Sequence, residues 1–231
     1  MTYSCGGSRS ISLRSLFIRR TEPRRAVSIR LNALDATLVL GGARSGKSSR
    51  ALRLAEAQGA QRLFIATAEP FDVEMRERVQ AHRLERGAGW QTRECPLDLA
   101  GAIDDRAVDA EPGREPAVLL IDCLTVWLGN LMHHRQDVDA ACDALLEAMQ
   151  RCDVPLVLVS NEVGSGLVPE TPVGRRFRDE QGRLNQRLAA RCARVELVVA
   201  GLPLTLRGGD PSGLSRTAAT RSSSHRSSRS R

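Results

Sequence analysis

Lysine is nearly absent from this chain. Of its 34 basic residues, 33 are arginine and one, Lys47, is lysine. Aromatic residues make up only 3%, so a core has to come from Leu, Val, Ile and Ala. No apolar run approaches the ~20 residues that a membrane-spanning helix needs, which excludes a helical span. The six cysteines (5, 95, 123, 142, 152 and 192) form no C-x-x-C pair. That excludes the usual zinc spacings and a small-domain disulfide framework, and leaves reduced thiols in a cytoplasmic protein. Acidic residues are scarce only at the two ends. The formal charge of +7 resolves into +5 over residues 1–35, −2 over 36–207 and +4 over 208–231. The body therefore lacks the electrostatic footprint of a nucleic-acid binder.

What the chain does have begins at Thr37-Leu38-Val39-Leu40, an apolar run that leads into Gly41-Gly42-Ala43-Arg44-Ser45-Gly46-Lys47-Ser48. This is G-x-x-x-x-G-K-[ST] between a strand and a helix. The glycines let backbone N–H groups turn toward phosphate oxygens, and the following helix adds unpaired N–H donors. Lys47 supplies a compact charge at the β/γ-phosphates, and the Ser48 hydroxyl can ligate Mg²⁺. The single lysine stands where a planar guanidinium does not fit.

The rest of the body alternates. Strands are predicted at 37–40, 63–66, 117–122 and 154–159, closing with 195–201 and 204–206. Helices are predicted at 47–57, 72–85, 97–103, 138–151 and 175–194, and residues 87–96 read as a loop-rich segment. Short, fully apolar strands separated by helices indicate an α/β fold with a mostly parallel sheet covered on both faces. Three parts follow: a basic extension over 1–35, a nucleotide-binding catalytic domain over 36–207, and an Arg/Ser-rich tail over 208–231. The extension reads as disordered, as an early start or as a transit-like segment. The tail has eight serines and five arginines and reads as disordered, with a non-specific polyanion-binding arm as the alternative.

In open parallel sheets, ligands bind at the carboxyl ends of the strands. Thr67-Ala68-Glu69, Asp122 and Ser160-Asn161-Glu162 occupy three such ends, beside the phosphate loop at the fourth. Asp122 suits an Mg²⁺-side carboxylate. His82 lies four residues from both Arg78 and Arg86, on one helical face. Flanking guanidinium groups disfavour imidazolium, so the ring would be neutral and nucleophilic. Spacing alone favours an ordinary, partly exposed helix histidine over a nucleophile. His133 and His134 have no carboxylate at ligand spacing and read as surface.

Several motifs in one order give the chain a resemblance. Phosphate loop 41–48, Phe64-Ile65-Ala66-Thr67-Ala68, Arg78-Val79-x-x-His82-x-x-x-Arg86 with Trp90 and Glu94, and Asp122-Cys123-Leu124-Thr125 come first. Ser160-Asn161-Glu162-Val163-Gly164-x-Gly166-Leu167-Val168-Pro169 and Arg176-Phe177-Arg178-Asp179-x-x-Gly182-Arg183-x-Asn185-Gln186 complete the set. Over about 36–206 the chain resembles the bifunctional adenosylcobinamide kinase/adenosylcobinamide-phosphate guanylyltransferases of cobalamin biosynthesis. The resemblance implies a RecA-like phosphate-loop fold, a homotrimer, and two reactions. ATP or GTP phosphorylates adenosylcobinamide. GTP then guanylylates a histidine, here His82, which passes GMP to adenosylcobinamide phosphate. It also implies nucleotide contacts at 41–48, Thr67, Ala68, Glu69, Arg83, Leu84, Glu85, Arg86, Glu94 and Asp122, with Mg²⁺ at Ser48 and Asp122. One departure is Ala81, where a member of the family has a second histidine. The competing expectation is a phosphate-loop small-molecule or nucleotide kinase without the nucleotidyl step.

Overall fold

The computed structural model describes residues 34–69, 89–106 and 115–208. The predicted helix 72–85, with His82 and Arg83 to Arg86, lies outside them, as do the extension before Leu34 and the tail after Gly208. Seven strands form one sheet in the order β3-β2-β4-β5-β1-β6-β7. They are β1 (Leu34–Gly41), β2 (Arg62–Ala66), β3 (Trp90–Glu94), β4 (Val118–Asp122), β5 (Leu156–Asn161), β6 (Cys192–Val199) and β7 (Leu202–Arg207). All neighbouring pairs are parallel except β6 with β7, an antiparallel hairpin at the edge.

Strand alternation divides the core into two layers. Leu38, Leu63, Ile65, Leu119, Ile121 and Leu158 face one side, where they meet α2 (Leu99–Asp104), α3 (Leu124–His133), α4 (Val138–Arg151) and α5 (Pro172–Arg191). Val39, Phe64, Val118, Leu120, Val157 and Val159 face the other, against Ala51 and Ala55 of α1 (Lys47–Glu56). Burial of each large aliphatic side chain contributes about 1.5–3 kcal/mol, so this two-sided packing is the main stabilising term. It also explains why the central strands lack polar alternation. Trp127, the largest fully buried side chain, keeps its indole N–H satisfied by donating to the Leu97 carbonyl at 2.7 Å.

Several boundaries differ from the sequence expectation, and three elements differ most. The segment Trp90–Glu94 is a strand rather than a loop. It pairs in parallel with β2 at the sheet edge, and its half-exposed, largely polar residues carry no apolar period. Helix α5 spans Pro172–Arg191 rather than 175–194. Thr171 caps it by accepting the Gly174 N–H at 3.1 Å, and Pro172 fills the first turn, where no N–H is needed. Its predicted last turn instead opens β6, where Cys192 and Val195 are buried against β1. Strand β1 begins at Leu34, ahead of the predicted Thr37, and its half-buried Leu34 packs against the core. Among the described residues no helix is long and apolar enough to cross a membrane.

Candidate active site

Strand β1 runs straight into the glycine-rich loop, and α1 leaves it at Lys47. Gly46 closes the loop at φ 92°, a left-handed conformation that glycine adopts without strain. A side chain at Gly41 would collide with the Ser45 hydroxyl and stand 2.7 Å from the Val198 carbonyl. The loop is held from outside as well. Gly201, in the β6–β7 turn, donates its N–H to the Ser45 carbonyl at 2.8 Å. No side chain caps α1, which leaves its first N–H groups for an anion. The Lys47 ammonium reaches back to the Gly42 carbonyl at 3.3 Å, across the hollow of the loop. The Ser45 hydroxyl is buried without a partner.

Behind the loop, α1 is clamped to the sheet. Arg50 donates two hydrogen bonds to Glu196, at 2.8 and 2.9 Å, and Arg194 donates two more. Glu196 is fully buried. Burial alone would push its carboxyl up, but the hydrogen bonds from Arg50 and Arg194 outweigh burial and hold it below the ordinary glutamate range.

The strand ends fall on two levels, Asp122 being in register with Val159, two residues before Asn161. Ala66 is in register with both Glu94 and Asp122, and Asn161 is in register with Gly41. Asp122 continues the Val118-Leu120 alternation and therefore faces α1, the side on which Lys47 and Ser48 stand. Of the predicted residues, the phosphate loop, Asp122 and Glu94 share this face. Thr67 behaves differently. It is fully buried on the opposite side, where its hydroxyl donates to the Cys123 carbonyl at 2.8 Å and accepts the Cys123 N–H at 2.9 Å. The bond positions the chain directly after Asp122. Glu69 lies beyond it and pairs with His134 at 3.0 Å. His134 is exposed, as its sequence context suggests, but its carboxylate partner comes from across the sheet rather than from nearby in sequence.

Sequence reasoning passed over the supports. Asn130 donates to the Thr67 and Pro96 carbonyls at 2.8 and 3.1 Å. Gln181, also fully buried, donates to Ser160 and Asn185. The available signal was a polar residue inside an apolar helical stripe, since Gln181 and Asn185 share a face with Leu184 and Leu188.

Burial raises the pKa of the described thiols. Burial, reinforced by the neighbouring Asp122 charge, pushes Cys123 up to about 11, and burial raises Cys142 to about 11 and Cys192 to about 12. None is a thiolate at neutral pH, so none of the three is a covalent carrier. No group of three or more His, Cys, Asp or Glu side chains among the described residues could hold a metal by itself. A cavity of about 380 Å³, lined by Arg62, Trp90 and Pro116, sits at the amino ends of β2 and β3, away from the phosphate loop.

Residues 37–206 match the protein family described as cobinamide kinase / cobinamide phosphate guanyltransferase. The chain belongs to that family. It is 47% identical over 173 residues to the bifunctional adenosylcobalamin biosynthesis protein CobP of Pseudomonas aeruginosa, a match covering 74% of this chain and 96% of that protein. It is 40% identical over 185 residues to the CobU protein of Salmonella typhimurium, covering 74% and 98%. Among solved structures, the RadB recombinase is 17% identical with a TM-score of 0.38, covering 71% of this chain and 74% of that one. As a member of the cobinamide kinase/guanyltransferase family, the chain is a transferase with kinase and guanyltransferase activity. Strand β5 stands between the phosphate-loop strand and the Asp122 strand.

Proposed function

We propose that the chain carries out both transfers at one nucleotide site within residues 36–207. In the first, the hydroxyl on the aminopropanol arm of adenosylcobinamide attacks the γ-phosphate of ATP or GTP. In the second, His82 attacks the α-phosphate of GTP and pyrophosphate leaves. The guanylyl group then moves to adenosylcobinamide phosphate, giving adenosyl-GDP-cobinamide. The observation that carries this reading is the juxtaposition of a complete phosphate loop with Asp122 on one face of the sheet, in a chain of this family.

Lys47 would balance charge at the β/γ-phosphates, and the 41–48 backbone would cradle them. Ser48 and Asp122 are hard oxygen donors of the kind Mg²⁺ accepts when phosphates and water complete its shell. Bound there, Mg²⁺ would neutralise charge on the phosphates. Thr67, Ala68, Glu69 and Glu94 line the neighbouring strand ends, and Arg83 to Arg86 accompany His82 by motif. A homotrimer in the cytoplasm completes the reading.

Incubation with α-³²P-GTP is the test. Wild-type protein is expected to hold an acid-labile, base-stable label that His82→Ala loses. Full labelling of His82→Ala would overturn the nucleotidyl-histidine assignment. Phosphorylation of adenosylcobinamide without any enzyme label would leave a kinase alone.

A further inference from the structure

Strand β5 ends in a residue with no assigned part in either transfer. Asn161 continues the Val157-Val159 alternation, so its side chain lies on the α1 face, as Asp122 does on β4. It sits between the two halves of the phosphate site. On one side it is in register with Gly41, whose carbonyl accepts the Glu162 N–H at 3.1 Å. On the other is the strand that ends in Asp122, which is in register with Val159, two residues before Asn161 on the same face.

Its backbone is pinned on both sides. The Asn161 N–H donates to the Thr125 hydroxyl at 2.7 Å, and its carbonyl accepts from the Asn185 amide at 3.0 Å. Asn185 is itself held by Ser160 and Gln181 in a buried network. Yet the Asn161 Oδ1 is buried and has no partner. A carboxamide on a pinned backbone, with an unmet acceptor on the face of the phosphate loop, calls for a ligand donor.

We infer that Asn161 is a catalytic residue of the phosphate transfer, its carboxamide bridging the acceptor hydroxyl and the γ-phosphate. This rests on the kinase reading above. Oδ1 accepts the hydrogen bond of the attacking hydroxyl, while the amide N–H groups donate to γ-phosphoryl oxygens. The hydroxyl oxygen forms the new bond to phosphorus as the β–γ bridging bond breaks. The nucleoside diphosphate leaves with the electron pair, and the hydroxyl proton is released to solvent through the phosphoryl oxygens. Asn161 stays neutral and fixes the line of attack. The α-phosphate reaction, which needs a histidine instead, does not use it.

The test compares full-length wild type, Asn161→Ala and Asn161→Asp in two assays. One follows transfer of γ-³²P from ATP to adenosylcobinamide; the other follows single-turnover labelling of the enzyme by α-³²P-GTP. The substitutions are expected to lower kcat of phosphate transfer about 10²-fold, as loss of a transition-state hydrogen bond does. For Asn161→Ala the nucleotide KM, the enzyme labelling and the thermal midpoint should stay close to wild type. Asn161→Asp keeps size and fold but sets a negative charge against the phosphate, so it should fall as far as Asn161→Ala. Phosphate transfer at the wild-type rate in either variant would overturn the inference. So would a parallel fall of both reactions and the thermal midpoint, the mark of a purely structural residue. A wild-type protein that phosphorylates no cobinamide would sink the kinase reading, and the inference with it.

Discussion

The same strand ends are built differently on the two faces of the sheet. Toward α1 stand Gly41, Asp122 and Asn161, grouped around the phosphate loop, with an unpartnered hydroxyl at Ser45 and an unpartnered oxygen at Asn161. Toward α3 and α5 stand Thr67 and Ser160, each fully buried and bonded to neighbouring backbone or side chains. One face leaves polar capacity at its strand ends for a ligand; on the other the strand-end groups are bonded, and the unpartnered acceptor there, Gln181 Oε1, lies on α5. Residues one position apart in sequence, such as Ser160 and Asn161, therefore have opposite duties.

Substitutions on the ligand face should remove activity and leave stability intact. The largest effect is expected for Lys47→Ala, which removes the only lysine from the loop. Phosphate transfer should fall by about 10³-fold or more, measured as γ-³²P-ATP turnover with adenosylcobinamide. Unchanged turnover would break the comparison at its centre. Asp122→Asn should lower turnover by about 10²-fold and raise the Mg²⁺ concentration needed for half-maximal rate. A metal titration that overlays the wild type would remove Asp122 from the metal side.

On the other face the order reverses. Ser160→Ala removes the partner shared by Gln181 and Asn185 and should cost about 1–3 kcal/mol of stability in urea unfolding. Turnover at saturating substrate should change little. A large loss of turnover with no loss of stability would mean that the two faces are not separate in function.

The smallest effect expected concerns Glu196, behind the loop. Its folded carboxyl titrates below the ordinary value of 4.5, so its clamp adds stability above that pH. This part is lost as pH falls through the lowered folded value. Glu196→Gln should flatten that acid limb of the stability profile. A variant with the wild-type acid limb would show that the Arg50–Glu196–Arg194 cluster does not contribute there.

Much of this is legible in the order of residues alone. The phosphate loop declares itself because only glycines, one lysine and a hydroxyl fit so tight a cradle. The central strands are plain because burial on both faces leaves uninterrupted apolar runs. Less legible are Trp90–Glu94, an edge strand defined by pairing rather than by apolar period, and the start of α5, set by a Thr-Pro cap instead of by its apolar stripe. Gln181 is obscured because its partners lie on β5 and within its own helix turn. The signal there is a polar residue in a buried stripe, which does not say what it binds.

By itself, then, the sequence determined the chemistry available: a phosphate cradle, an acidic strand end, a histidine between arginines and the motifs of a cobinamide enzyme family. Those depend on residue type and local spacing, which the chain carries wherever it goes. Only the tertiary structure decided which strand ends share a face. Strand order and parallel register bring Asn161 level with Gly41, with Asp122 two residues short of them on β4, while a shift of one residue along the strand turns Ser160 into the core. That outcome depends on long-range pairing between segments more than a hundred residues apart, and no local pattern encodes it.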